Sequence, residues 1–430
     1  MKFYSTKSKD QLVDLKTAVL QSLPSDNGLY MPQRIPRLDP TFVKNLSDHT
    51  FVDIAIKIVK QYLAEDFSKE AIHEIISDAV DFEAPVVSLS DHLSVLELWH
   101  GPSLAFKDFG ARFMAGLMSK LVRHDDIKLT ILVATSGDTG GAVAAGFLGV
   151  ENVDVIILYP SGKVSPLQEK QLTTLGQNIT ALEIDGTFDD CQDIVKKAFL
   201  DAKINEQYNL SSANSINIAR LLPQSFYYFE AFKQLKKKDN VYFSVPSGNF
   251  GNLTAGLLAA KMGLPVKGFI AATNVNDVVP RYLDSGKYDP RPSIQTISNA
   301  MDVGAPSNFR RMEHLYKDVW MDMAKVVSGS SYTDDETKLG ILEVYKKYGY
   351  MIDPHGAVGY LAAKEHRKKH PESHVVILET AHPAKFLPVM RPILGLIDVP
   401  KRLSTLESKK KISIQLPNQF RTFKSWLLQQ

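Results

Sequence analysis

The sequence predicts an α/β fold built on largely parallel sheets. From about Ser94 onward, short β-branched runs alternate with stretches that repeat apolar residues at helical spacing, the pattern of strands joined by crossover helices. Two of those runs pass directly into loops of Gly, Ser, Thr and Asn and then into helix starts, as happens at the carboxyl ends of parallel strands, where ligands sit. With 430 residues and 44% hydrophobic content, the chain is long enough for two or three domains with sizeable cores.

Up to about Ala84 the pattern is mainly helical, with apolar periodicity over 10–22, 51–63 and 69–80 and a Pro24-Ser-Asp-Asn-Gly28 turn. This region is expected to support the rest of the chain rather than to carry chemistry. Strands are expected over 95–99, 129–134, 155–159, 179–184, 241–245, 266–272 and 375–380. The division expected from these patterns is a helical domain over 1–90, an α/β domain over 91–225 and a second over 226–430. Residues 306–370 read as helical, with Asp353-Pro-His-Gly356 opening one helix, and the tail from Pro400 reads as a basic surface segment.

Charge and cysteine content narrow the function classes. A net charge of +2, from 50 basic and 48 acidic residues, gives no electrostatic case for nucleic acid or a membrane surface. The single cysteine, Cys191, excludes an internal disulfide and a cysteine-based metal cluster, and is expected to pack within a helix. No charge-free run reaches the length of a membrane span and the N-terminus lacks a signal-peptide pattern, so a cytoplasmic protein without an obligate protein partner is expected. His366 and His370 stand four apart on a helical stretch with no third ligand apparent, and no metal is expected.

The most informative stretch is His100-Gly-Pro-Ser-Leu-Ala-Phe-Lys-Asp-Phe-Gly-Ala-Arg112. Gly101-Pro102 breaks the chain and Ser103 can cap. Phe106, Phe109, Phe113, Leu117 and Leu121 then recur at helical spacing, which predicts a helix over 104–121. Lys107 falls at its first turn. Apolar neighbours and the positive helix end both disfavour an ammonium there, pushing the lysine toward the free amine that attacks carbonyls. A lysine snorkelling past a core helix has the same local pattern.

That stretch resembles the lysine motif of threonine synthases, a family of fold-type II enzymes dependent on pyridoxal phosphate. The resemblance runs from Gly28-Leu-Tyr-Met-Pro32 to Thr380 with the motifs in the family's order, and it implies two three-layer α/β domains beside the helical N-terminal region. It implies that Lys107 holds the cofactor as a Schiff base. It also sharpens the two glycine loops, which by composition alone are anion cups or plain helix caps. Ser136-Gly137-Asp138-Thr139-Gly140 resembles the loop that holds the substrate carboxylate, with Thr135 just before it a further candidate, and Ser247-Gly248-Asn249-Phe250-Gly251 resembles the loop that binds the cofactor phosphate. Many relatives have Asn where this chain has Asp138; an aspartate repels a neighbouring carboxylate or phenolate unless it is turned away or protonated. The Asn214-Ser215-Ile-Asn217-Ile-Ala-Arg220 segment resembles the family's substrate side, and Arg220, counted from Ser215 as the cap, can fork onto an anion. Thr380 matches the threonine that faces the pyridine nitrogen. Lys163, His382 and Lys385 are polar groups near these edges that fit ordinary loop structure as well.

The activity so implied is conversion of O-phospho-L-homoserine and water to L-threonine and phosphate. A serine/threonine dehydratase of the same fold type shares Lys107 and both cups but needs no second phosphate site; a cofactor-binding protein without turnover is the non-enzymatic alternative.

Overall fold

The fold is described from a computed structural model for residues 1–125, 128–135 and 137–430. A small antiparallel sheet of β1 (Phe3–Ser5), β2 (Leu12–Val13) and β3 (Tyr30–Pro32) lies in the N-terminal region, where the sequence, read as mainly helical, predicted no strand. The helix Phe51–Leu63 matches the predicted span. Thr50 and Asp53 close its start as a capping box, and Ile54, Ala55, Ile58, Val59, Tyr62 and Leu63 form its buried stripe.

The strands β4 (Val86–Ser90), β5 (Leu93–Glu97), β6 (Leu129–Ala134), β7 (Val153–Pro160), β8 (Ile179–Asp185), β9 (Asn209–Ser212), β10 (Val241–Pro246), β11 (Gly268–Thr273), β12 (Val327–Ser331), β13 (His374–Glu379) and β14 (Ile414–Pro417) make two further sheets. The larger runs β12-β11-β10-β13-β5-β4, parallel except for β4; the smaller runs β14-β8-β7-β6-β9, parallel throughout.

Period-two alternation buries both faces of each sheet. On β10, the Ser244 hydroxyl donates to the Gly359 carbonyl at 2.7 Å and the Tyr242 ring lies 4.4 Å from that of His366, both partners on the helix Pro354–Lys369. Between them Phe243 turns the other way, against the rings of Tyr228 and Phe269. On β6, Leu132 and Ala134 join Ile194, Ala198 and Phe423 in one cluster, while Ile131 and Val133 join Phe113 and Phe147 in another. Cys191 is buried with the first of these, where burial pushes its thiol up to about 12.

The expected boundaries at 91 and 226 cut across these sheets. β4 and β5 complete the sheet of β10–β13, whereas β14, from the far end of the chain, pairs with β8. The tail is therefore structural rather than a loose surface segment. Phe423 and Leu427 are fully buried, worth roughly 1.5–3 kcal/mol each, and Lys411 sits between Glu169 and Glu183 at 2.7 and 2.6 Å.

Candidate active site

Five chain crossings bring the expected residues to the carboxyl ends of β5, β6, β9, β10 and β13. After β5 the chain runs beside the segment that follows β13. Phe106 N donates to the Thr380 carbonyl at 2.8 Å, His382 N donates to the Leu104 carbonyl at 3.1 Å, and Ala105 bridges Ala381. Leu104 takes a left-handed conformation, φ 58°, and the helix begins only at Lys107, three residues later than predicted. Ser103 is not its cap. The Ser103 amide donates to Oδ2 of Asp108 at 2.9 Å, and its buried hydroxyl has no partner. Lys107 is thus the first helical residue, its backbone tied on the N-terminal side to Thr380.

The side chain of Lys107 is 17% exposed. Burial lowers its pKa; Asp138 works the other way, and Lys385 and Arg220 add to the lowering. Asp138 is neither turned away nor protonated. Its Oδ1 accepts from Lys385 Nζ at 2.7 Å and from Gln168 Nε2 at 2.8 Å, and its Oδ2 lies 3.9 Å from Lys107 Nζ. Burial raises its pKa, but Lys385 and Lys107 outweigh that and hold it below the usual carboxylate range. Lys385, which fitted ordinary loop structure in the sequence, is fully buried and also donates to the Ser103 carbonyl at 2.8 Å.

The remaining members of the β6 loop have local roles. Thr135 Oγ1 accepts from the amides of Gly137 and Gly140 at 3.0 and 2.8 Å and so shapes the turn. Gly137 is at φ 142° against Gln168, and Thr139 is half-buried in the helix Asp138–Phe147. Ser136 lies outside the described residues.

In the loop after β10, Ser247 donates to the Val245 carbonyl at 2.9 Å, and Phe250 adopts φ 59° before the helix Gly251–Met262. A Cβ on Gly248 would lie 2.5 Å from the Ala300 carbonyl oxygen, so only glycine fits this approach. Asn249 Nδ2 donates to Ser215 Oγ at 2.7 Å and joins this loop to the segment after β9. There Asn214 Oδ1 is buried without a partner, and Arg220 is buried with Nη1 donating to the Ala213 carbonyl and Nε unpartnered. Burial lowers Arg220 to about 10, with Asp108 partly offsetting it. The cap of the helix Ile218–Leu221 is Asn217, not Ser215: its oxygen accepts from Ala219 N, and its amide donates to the Val19 and Ser212 carbonyls. Asn217 is therefore fully engaged in the backbone and unavailable to a ligand.

Of the other polar groups, Lys163 is exposed. His382 accepts from Ala384 N at 3.0 Å as a cap, its pKa lowered to about 4 by burial. The His366 and His370 rings lie 4.7 Å apart, and among the described residues no group of three or more His, Cys, Asp or Glu is arranged to hold a metal ion.

Residues 2–80 match the family model for the threonine synthase N terminus, residues 86–381 that for pyridoxal-phosphate dependent enzymes, and residues 356–426 that for the threonine synthase C-terminal region. The chain is 44% identical over 431 residues to the threonine synthase of Escherichia coli strain K12, covering 100% of this chain and 99% of that one. The chain belongs to the threonine synthase family. The fold agrees with that of the crystal structure of the E. coli threonine synthase, with a TM-score of 0.94 at 44% identity over 100% of both chains. It also agrees with a PLP-bound threonine synthase from Brucella melitensis, with a TM-score of 0.92 at 35% identity over 99% and 98%.

As a member of the threonine synthase family the chain is a pyridoxal-phosphate-dependent lyase of fold-type II architecture. Its residues fit the cofactor: a lysine biased toward the free amine stands among buried polar atoms that lack protein partners, Ser103 Oγ, Gln171 Oε1 and Arg220 Nε. The sequence underrated Lys385 and passed over Gln168, which donates to Asp138. The position of Lys385 just after a parallel strand was the one available signal.

Proposed function

We propose that the chain converts O-phospho-L-homoserine and water to L-threonine and phosphate in the cytoplasm. The observation that carries this is the buried Arg220, whose Nη1 donates to a backbone carbonyl and whose Nε is unpartnered, on the segment that carries the Ser215–Asn249 contact and adjoining Lys107. It adds an anion-binding side that removal of an amino group from serine or threonine does not need.

Lys107 holds the cofactor, with Ser247, Gly248, Asn249, Phe250 and Gly251 around its phosphate and Thr380 toward its ring nitrogen. When bound, the cofactor supplies an electron sink for carbanion charge. The Lys107 amine then takes and returns protons at Cα and Cβ, a role that needs the neutral form favoured by its surroundings. Gly137 and Thr139 supply donors at the substrate carboxylate, with Ser136 on the same loop, while Lys385 keeps the charge of Asp138 from repelling that carboxylate. Thr135 and Asn217 shape their loops without touching substrate. Asn214, Ser215 and Arg220 hold the phosphate that leaves from Cγ, and water adds at Cβ.

Turnover of O-phospho-L-homoserine by the cofactor-loaded protein, scoring threonine and phosphate together, tests this. Equal amounts of both, lost in Lys107→Ala, support it. Phosphate without threonine would put an elimination to a keto acid in its place.

A further inference from the structure

Arg311, in the helix Phe309–Leu315, is the largest fully buried side chain, and every polar atom it reaches is neutral. Nε and Nη2 donate to the Tyr30 carbonyl at 3.2 and 3.0 Å, and Nη2 also donates to the Ile216 carbonyl at 2.6 Å. Nη1 donates to the Ser215 carbonyl at 3.2 Å and to Asn308 Oδ1 at 2.7 Å. Among the described residues no carboxylate forms an ion pair with it. Burial lowers its pKa to about 9, still charged at neutral pH. Burying a charge is costly unless it is paired as well as hydrogen-bonded, which points to an anion arriving later.

What the guanidinium holds points the same way. Two of its acceptors are the carbonyls of Ser215 and Ile216, in the turn that leads to Arg220. Ser215 Oγ accepts from Asn249 Nδ2 at 2.7 Å and from Asn308 Nδ2 at 3.4 Å, so its own hydrogen remains to be donated. The turn lies against the start of the twelve-residue helix Gly251–Met262: a Cβ on Gly251 would be 3.5 Å from Ser215 Cβ. A hydroxyl donor and the guanidinium groups of Arg311 and Arg220 therefore converge on one short segment.

We propose that Arg311 is the positioning residue that selects phosphate-bearing substrates, fixing the Ser215 turn toward the site and supplying positive charge that only a multiply charged anion offsets. The proposal rests on reading residues 214–220 as the substrate-phosphate side. Arg311 touches no reacting atom.

The test titrates cofactor-loaded protein with 2-amino-5-phosphonopentanoate, the phosphonate isostere of the substrate, and with L-norvaline, the same skeleton without the phosphonate. Dissociation constants are read from the cofactor absorbance, in wild type, Arg311→Met and Arg311→Lys. The wild-type preference for the phosphonate should fall at least tenfold in the methionine variant and by less in the lysine variant, with norvaline binding changed less than threefold. A preference within twofold of wild type in both variants, or equal weakening of both ligands, overturns the proposal. If the methionine variant does not fold, the lysine variant decides: a lowered preference supports the proposal and an unchanged one overturns it. Absence of any phosphonate preference in wild type overturns the reading of residues 214–220 itself, and the proposal with it.

Discussion

Lys385 and Asp138 form a fully buried ion pair, Nζ to Oδ1 at 2.7 Å, and the other oxygen of Asp138 faces the Lys107 amine at 3.9 Å. Two lysines thus share one carboxylate, and each weakens its hold on the other. Removing Lys385 takes away a cation that opposes protonation of Lys107 and frees Asp138 to favour it, so both changes raise the Lys107 pKa. In Lys385→Met, formation of the cofactor's absorbance band from apoprotein at pH 7 should slow by about tenfold per unit of that rise and recover at higher pH. An unchanged pH profile would mean that Lys385 does not set the charge of Lys107.

Arg220 tests the substrate-phosphate side directly. Losing a charged donor to an anion costs ~1.5–3 kcal/mol, so Arg220→Ala should lower kcat/KM for the phosphorylated substrate by roughly ten- to a hundredfold. A loss under about threefold, below ~1 kcal/mol, would remove Arg220 from the site.

Asp108 gives a pH signature in stability. Burial raises its pKa to about 6, outweighing the hydrogen bond that its Oδ2 accepts from the Ser103 amide, and its Oδ1 has no partner. Because the folded value lies above the unfolded one, the stabilising contribution is complete below about pH 4 and is lost as pH rises through about 6. Asp108→Asn should therefore match wild type in denaturant melts near pH 4 and exceed it by up to ~3 kcal/mol at pH 7 to 8. A parallel pH dependence of the two proteins would contradict this.

At Gly248 the neighbours are backbone atoms, the Ala300 carbonyl oxygen and Met301 Cα at 2.5 and 2.8 Å from an added Cβ. Gly248→Ala must displace one of the two strands of chain, at a cost of about 1–3 kcal/mol. Equilibrium dialysis of pyridoxal phosphate should show weaker binding by about fivefold or more, with Lys107 chemistry intact.

How much was legible in the sequence depended on whether a residue's role was set locally. The helix Phe51–Leu63 and strand β6 were found to the residue, since apolar residues at helical spacing and a β-branched run declare themselves without tertiary context. Strands β9 and β12 were missed: Asn-Leu-Ser-Ser and Val-Ser-Gly-Ser-Ser carry little β-branched signal and form only because a neighbouring strand pairs with them. Lys107 and the two glycine loops stood out as candidates through their resemblance to the threonine synthase motifs, since their local patterns fitted a snorkelling lysine and plain helix caps as well. Arg311 and Lys385 did not, because a cation in sequence looks like a surface residue until the carbonyls or carboxylate that receive it have come together from elsewhere.

The placement of β14 has a consequence for how the chain is made. Its pairing with β8 joins residues more than two hundred positions apart, so β14 emerges from the ribosome long after β8. During synthesis β8 therefore presents an open edge until more than two hundred further residues have been added. An exposed edge of that kind invites pairing with other nascent chains and with chaperones. Synthesis of residues 414–417 closes it, so a chain released before them would lack that closure and be the species most prone to aggregation.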